Sequence, residues 1–215
     1  MSLTMAPPRA ASQPQLWHRP PDVASQPLPP PPKLGEMPRD RNVVIPMSRE
    51  QWWDYPFEGL SEWAYGEAIL MPPPAPFHSS IQGELIGAIH GQLPTARVVG
   101  EYGVDRVVSY RIPDVCIVAR HPRRLGSGEQ PAAVVEIVSP SSRRIDRIDK
   151  MTEYLDKGIG QYWIVDPVAE SIEVLANDQG LRWQQVAVLD VGHPVLDIEV
   201  ADLGSVRLQH QQIFQ

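Results

Sequence analysis

The chain has 215 residues, 42% of them hydrophobic, and 19 Lys and Arg against 26 Asp and Glu give a formal net charge of -7. No run approaches the ~18 consecutive apolar residues of a membrane span, and the N-terminal stretch lacks the apolar core of a secretory signal, so the expectation is a soluble, cytoplasmic protein with no membrane partner. The single cysteine, Cys116, excludes an internal disulfide framework and a multi-cysteine zinc site. The acidic balance excludes coating of nucleic acid by net charge alone and leaves room for a local basic groove.

Proline is spread unevenly: 12 of the 24 lie in the first 46 residues, including the run Pro29 to Pro32. Fixed φ angles, missing backbone donors and few apolar residues predict a Pro-rich arm or linker over 1–46, polyproline II or disordered, able to lie across a neighbouring subunit or a partner. A homodimer is the expected assembly, since most soluble oligomers are twofold symmetric. The remaining body, 47–215, holds 14 Lys and Arg against 23 Asp and Glu, a net -9, and is long enough for one core.

Along the body, Ser48-Arg49-Glu50-Gln51 reads as a capping box opening a short helix over Trp52 and Trp53. Residues 61–71 predict a hairpin turning near Gly66, stopped by Pro72-Pro73-Pro74. A helix follows over about 77–93, with Ile81, Leu85, Ile89 and Leu93 as its core stripe. Strands are predicted at 97–101, 104–109, 112–118 and 132–138, then a helix over 143–157 closed by Gly158, then strands at 161–166, 170–175 and 181–189. Strands interleaved with helices predict a mixed α/β sheet with a parallel pair wherever the connection is helical.

The chemistry concentrates where a charge breaks an apolar run. In Ala132-Ala133-Val134-Val135-Glu136-Ile137-Val138, flanks apolar on both faces mark a central strand, and the carboxylate within it needs a proton, a cationic partner or a metal ion. Asp114 interrupts Ile112 to Val118 in the same way, directly after Pro113. Two carboxylates on adjacent central strands suit a hard divalent cation, Mg²⁺ or Mn²⁺, which takes oxygen ligands and keeps several waters.

Pro113-Asp114, then Val135-Glu136-Ile137-Val138-Ser139-Pro140-Ser141, then Asp146, Lys150, Tyr154 and Gly158, then Tyr162-Trp163-Ile164-Val165-Asp166-Pro167 resemble, in order and spacing, the Uma-two-type restriction-endonuclease-like family of the PD-(D/E)xK nuclease superfamily. Glu62, the Gly66-Glu67 turn and His78 also fall where that family carries similar residues. The resemblance covers roughly 48–200. It implies a mixed central β-sheet flanked by helices and metal-dependent cleavage of phosphodiester bonds, with Asp114 and Glu136 at the metal. Where the general superfamily pattern has lysine two residues after the glutamate, this chain has Val138; the family's lysine stands on the following helix, and Lys150 matches it.

On a helical wheel Ile148, Met151 and Leu155 share one face, while Asp146, Lys150 and Tyr154 lie opposite at i, i±4 spacing. Lys150 is therefore expected outside the core, either as a solvated partner of Asp146 or reaching over the strand ends to assist a water. His78 shares a helix face with Leu85 and Ile89 at the N-terminal end, beside the sheet; it is a candidate metal ligand, or a donor to phosphate or to the carboxylates, with Gln82 one turn later. Ten of the body's cations, Arg106, Arg111, Arg120, Arg123, Arg124, Arg143, Arg144, Arg147, Lys150 and Lys157, fall between 106 and 157, which predicts a segregated basic surface. Arg143, Arg144, Arg147 and Gln82 are the expected substrate contacts. The expected function is a Mg²⁺-dependent nuclease acting on nucleic acid, DNA before RNA; the alternative is a silent nuclease fold serving as a binding or assembly module.

Overall fold

The computed structural model of the protein describes residues 27–119, 130–139 and 145–215. The Pro-rich segment over 1–26, Arg120, Arg123, Arg124, Pro140, Ser141, Arg143 and Arg144 lie outside them. A single turn of 3-10 helix (Leu34–Glu36) leads into strand β1 (Val43–Pro46), which pairs antiparallel with β3 (Glu67–Leu70). Met37 and Ile45 are buried with Met47, Trp52, Trp63 and Leu70. The arm boundary expected at 46 is thereby corrected: the apolar alternation around Val43 and Ile45 is short, but it completes a sheet.

Helix α1 (Arg49–Trp53) carries the expected capping box, with Ser48 Oγ accepting from Gln51 N and Gln51 Oε1 accepting from Ser48 N. Strand β2 (Ser61–Ala64) joins β3 through Tyr65 and Gly66, whose φ angles of 52° and 90° are what a type I′ hairpin demands. Pro76 then stands at the first position of α2 (Pro76–His90), where a missing N–H costs no hydrogen bond. Its Ile81, Leu85 and Ile89 are buried as the periodicity predicts, whereas Leu93 is buried in the loop beyond it.

Strand β4 (Ala96–Val99) follows, and the single strand expected over 104–109 is instead two, β5 (Val104–Asp105) and β6 (Ser109–Arg111). A turn at 106–108 separates them, with Val107 91% exposed. β7 (Val115–Ala119) and β8 (Ala133–Ile137) are the central strands, buried on both faces. A π-helical turn (Ile145–Asp149) runs into α3 (Lys150–Lys157), and β9 (Gln161–Asp166) returns parallel to β8, so the helical connection does produce the parallel pair. β10 (Ser171–Asp178), β11 (Arg182–Leu189), β12 (Val195–Val200), β13 (Gly204–Gln209) and α4 (His210–Ile213) complete the chain. The last two strands lie beyond those predicted, although Leu196, Ile198 and Val200 alternating with Asp197 and Glu199 is a period-two signal.

The six-stranded sheet has the order β11-β10-β9-β8-β7-β4 and the five-stranded one β1-β3-β2-β6-β5. On one face of the larger sheet Val115, Ile117, Val135, Ile137 and Trp163 pack on α2 and on the β12–β13 hairpin; on the other Cys116, Val134, Tyr162 and Ile164 pack on Tyr154 of α3. Among the described residues no helix is long and apolar enough to cross a membrane.

The turn from α3 into β9 depends on Gly158, which adopts φ of 78° at the helix C-terminus. A side chain there carries the left-handed penalty of about 1–2 kcal/mol. Gly158→Ala is expected to lower the stability read by urea unfolding by about that amount; an unchanged midpoint would show that the helix end relaxes freely.

Candidate active site

The antiparallel β7–β8 register pairs Val115 with Val135. Asp114 stands one residue before Val115 and Glu136 one residue after Val135, and the two carboxyl groups are near enough for the charge of Asp114 to oppose ionisation of Glu136. Asp114 Oδ2 accepts a 2.7 Å hydrogen bond from Ile137 N, and Gln82 Nε2 donates to the Asp114 carbonyl at 2.7 Å, so two neighbouring elements hold this residue at the strand end. His78 Nε2 lies 3.3 Å from Asp114 Oδ1, while its Nδ1 is buried with no partner among the described residues.

Lys150 lies where the helical wheel did not place it. The buried stripe of the π turn and α3 is Asp146, Lys150, Glu153 and Tyr154, whereas Ile148 is 54% exposed. The expectation that Lys150 stands outside the core is corrected: its side chain is 8% exposed, and its Nζ sits 3.0 Å from Glu136 Oε2 and 3.3 Å from both Glu62 Oε1 and Asp146 Oδ1. Tyr154 OH donates to Glu136 Oε1 at 2.7 Å, and Tyr162 OH to the Asp146 carbonyl at 2.8 Å. The polar face turns inward because carboxylates on two sheets are there to receive it.

Behind Lys150 lies a second shell of charge. Arg111 on β6 donates to Glu153 Oε1 at 2.6 Å and Oε2 at 2.9 Å and to Glu62 Oε2 at 3.0 Å; Ser109 Oγ donates to Glu153 Oε2 at 2.7 Å. Glu62 Oε1 also accepts from Ile112 N at 2.9 Å. Glu62 thus links the lysine to the arginine and the smaller sheet to the larger. Arg111, Glu153 and Ser109 carry no motif that marks them as site residues; the only sequence signal is the rarity of fully buried charges without partners.

The carboxylates differ in what surrounds them. Burial opposes ionisation of Glu62, but Lys150, Arg111 and the Ile112 amide outweigh it and hold the group below its ordinary value. Burial dominates at Glu136, and with Lys150 shared among three carboxylates and Asp146, Asp114 and Glu62 adding repulsion, its carboxyl is pushed well above the ordinary range. Burial works against charging Lys150, yet Glu136, Glu62 and Asp146 together raise its ammonium well above the normal lysine value. Burial also opposes charging of His78, and the hydrogen bond and charge of Asp114 overcome it, raising the imidazole above 6.5. Cys116 is buried, its thiol pushed up by desolvation and by Glu136 and Asp114, so it is no nucleophile.

Glu62, His78, Arg111, Asp114, Glu136, Asp146 and Lys150 line one cavity of about 220 Å³ with Arg39, Asn42, the Pro72–Pro74 wall, Gln82, Glu101, Pro113 and Ser139. The expected basic surface is dissolved over the described residues. Arg111 and Lys150 are buried counter-ions, Arg106 donates to the Glu153 carbonyl and pairs with Asp156, and Arg147 pairs with Glu173 at 2.6 Å, outside the cavity lining. Arg147 is thus not brought to the site, and Gln82 meets it as a brace for Asp114.

A carboxyl whose folded pKa exceeds its unfolded one binds its proton more tightly when folded, so stability falls as pH rises from the unfolded value near 4.5 toward the folded one. Glu136→Gln removes that slope. In EDTA at neutral pH the variant is expected to be more stable than wild type by about 1–2 kcal/mol, the difference vanishing below the unfolded carboxyl value. A variant less stable at every pH would mean that Glu136 is ionised and fully compensated by Lys150.

The residues matched by a protein-family model, 57–203, span both sheets and every charged group of the cluster. That family is Uma2, described as "Putative restriction endonuclease". A solved structure described as that of a "putative nuclease belonging to DUF820 from Anabaena variabilis ATCC 29413" superposes with a TM-score of 0.57 at 22% identity, covering 86% of this chain and 98% of that one, and so shares the fold. No curated protein matches the chain. With the family model spanning well over half its length, the chain belongs to the Uma2 restriction-endonuclease-like family.

Proposed function

We propose that the protein is a nuclease that hydrolyses phosphodiester bonds of nucleic acid, DNA before RNA, with a divalent cation, Mg²⁺ or Mn²⁺, held by Asp114 and Glu136. The observation that carries this reading is the convergence of these two carboxylates on one cavity, with the buried ammonium of Lys150 beside Glu136.

The donor set fits such a cation. Asp114, Glu136, Glu62, Asp146 and Glu153 face two permanent cations, Lys150 and Arg111, so the cluster holds an excess of negative charge that a divalent ion offsets. Among the described residues no three His, Cys, Asp or Glu side chains converge as a closed metal cage. Two carboxylates with open positions match an ion that retains water and accepts a phosphate oxygen. When bound, the ion supplies positive charge against the scissile phosphate and activates water at neutral pH.

The chain's own groups divide the remaining work. Lys150, held as ammonium by three carboxylates, cannot serve as a base; it donates to the attacking water or to the charge that develops on phosphate. Glu62 and Asp146 fix its position, and Tyr154 fixes the Glu136 carboxyl. His78, with its pKa raised beside Asp114, is a proton donor at the strand end, suited to a phosphate oxygen or a leaving group.

The purified full chain is tested on plasmid DNA and on single-stranded RNA with Mg²⁺ or Mn²⁺. Cleavage is expected in wild type and absent in Asp114→Asn and Glu136→Gln, both of which retain a cooperative thermal melt. Activity that survives both substitutions would place the chemistry elsewhere, and a wild type inert on both polymers would leave the same fold acting as a binding or assembly module. Lys150→Met, which keeps the buried stem, is expected to cut turnover by about 10²–10³ while calorimetric Mg²⁺ binding changes modestly. Equal turnover in this variant would reduce Lys150 to a structural counter-ion.

A further inference from the structure

A cavity lined by this many carboxylates repels the polyanion it is read to cleave, and its two buried cations cannot answer that repulsion. Lys150 is surrounded by Glu136, Glu62 and Asp146, and Arg111 is spent on Glu153 and Glu62. Among the described residues, the remaining positively charged side chain of the lining, apart from His78, is Arg39. It is exposed and makes no ion pair with any described residue. It belongs to the segment over 34–42, of which Arg39 and Asn42 line the cavity, tied down on one side by buried Met37 and on the other by the pairing of β1 with β3. Asn42, also in the lining, stands at the end of the same segment. Arg41, two residues away and equally exposed, is not part of the lining.

Resting on the nuclease reading, we infer that Arg39, with Asn42 of the same segment, is a phosphate-contacting group of this site: its exposed guanidinium binds a backbone phosphate of the nucleic acid whose neighbouring phosphodiester reaches Asp114 and Glu136 in the same cavity. A guanidinium presents paired donors that match phosphate oxygens, and an anchored segment places them with little ordering cost. Arg39 and Asn42 precede the 57–203 stretch matched by the family model, so this contact is supplied by chain outside it.

The test measures steady-state cleavage of a short fluorescein-labelled duplex DNA in Mg²⁺ by wild type, Arg39→Ala, Arg39→Lys and Arg41→Ala over a range of salt. Arg39→Ala is expected to raise KM about tenfold with kcat unchanged, the signature of lost ground-state binding, and to lower the slope of log KM against log salt by about one. Arg39→Lys is expected to recover part of the KM and the whole salt slope, since charge returns without the fork. Arg41→Ala, which removes the same charge off the cavity, is expected to change KM less than twofold. If wild type cleaves the DNA and the two alanine variants behave alike, the contact is overturned while the nuclease reading stands. If wild type cleaves neither DNA nor RNA under these conditions, both fall together.

Discussion

The ammonium of Lys150, buried and shared by Glu136, Glu62 and Asp146, is the constraint around which the site is arranged. Those three carboxylates come from a central strand of the larger sheet, a strand of the smaller sheet and the π-helical turn before α3. Two buried ions attract strongly only after each has lost its hydration, so such a cluster adds little net stability and is exacting about geometry. Removing the lysine leaves its carboxylates without their shared counter-ion in a dry interior. The relative placement of the two sheets and α3 is thereby tied to one point of charge, and the apolar packing on either side has to be compatible with it.

From that point outward, the charges alternate. Arg111 answers Glu62 and Glu153, Ser109 completes Glu153, and Tyr154 completes Glu136. The alternation still leaves a surplus of carboxyl groups, and Asp114 and Glu136 line the cavity together with Glu62 and Asp146. The antiparallel pairing of β7 with β8 brings the start of one strand beside the end of the other, and β9 pairs parallel to β8 on its other side. A surplus of carboxylate facing solvent-accessible space is what a hard cation requires, and the buried ammonium beside it is what a developing phosphate charge requires.

The N-terminal segment acquires a structural role that its composition obscures. From Pro27 to Pro38 the chain forms a single 3-10 turn, and Met37 and Ile45 supply enough apolar surface to fasten it against Trp52, Trp63 and Leu70. Once fastened, Arg39 and Asn42 are carried into the cavity lining. A segment can be poor in secondary structure and still be well positioned if a few side chains are buried at each end.

Local patterns in the sequence determined the elements whose causes are local: the capping box at Ser48, the Tyr65-Gly66 hairpin, the apolar stripe of α2, the central strands around Asp114 and Glu136, and the Gly158 stop. The same patterns identified both strand-end carboxylates, because a charge inside a run apolar on both faces is anomalous wherever it folds. Periodicity failed at α3, where it names the two faces of a helix and says nothing about which one meets the core. That choice belonged to the tertiary structure: Glu62 lies 88 residues before Lys150 in the chain and Arg111 lies 42 before Glu153, and only the docking of the two sheets brought these charges together. It likewise turned Arg111 and Lys150 from an expected basic surface into buried counter-ions and set Arg39, within the stretch expected as an arm, in the cavity lining. A charge's environment is set by long-range contacts, so charge spacing along the chain could not assign these roles.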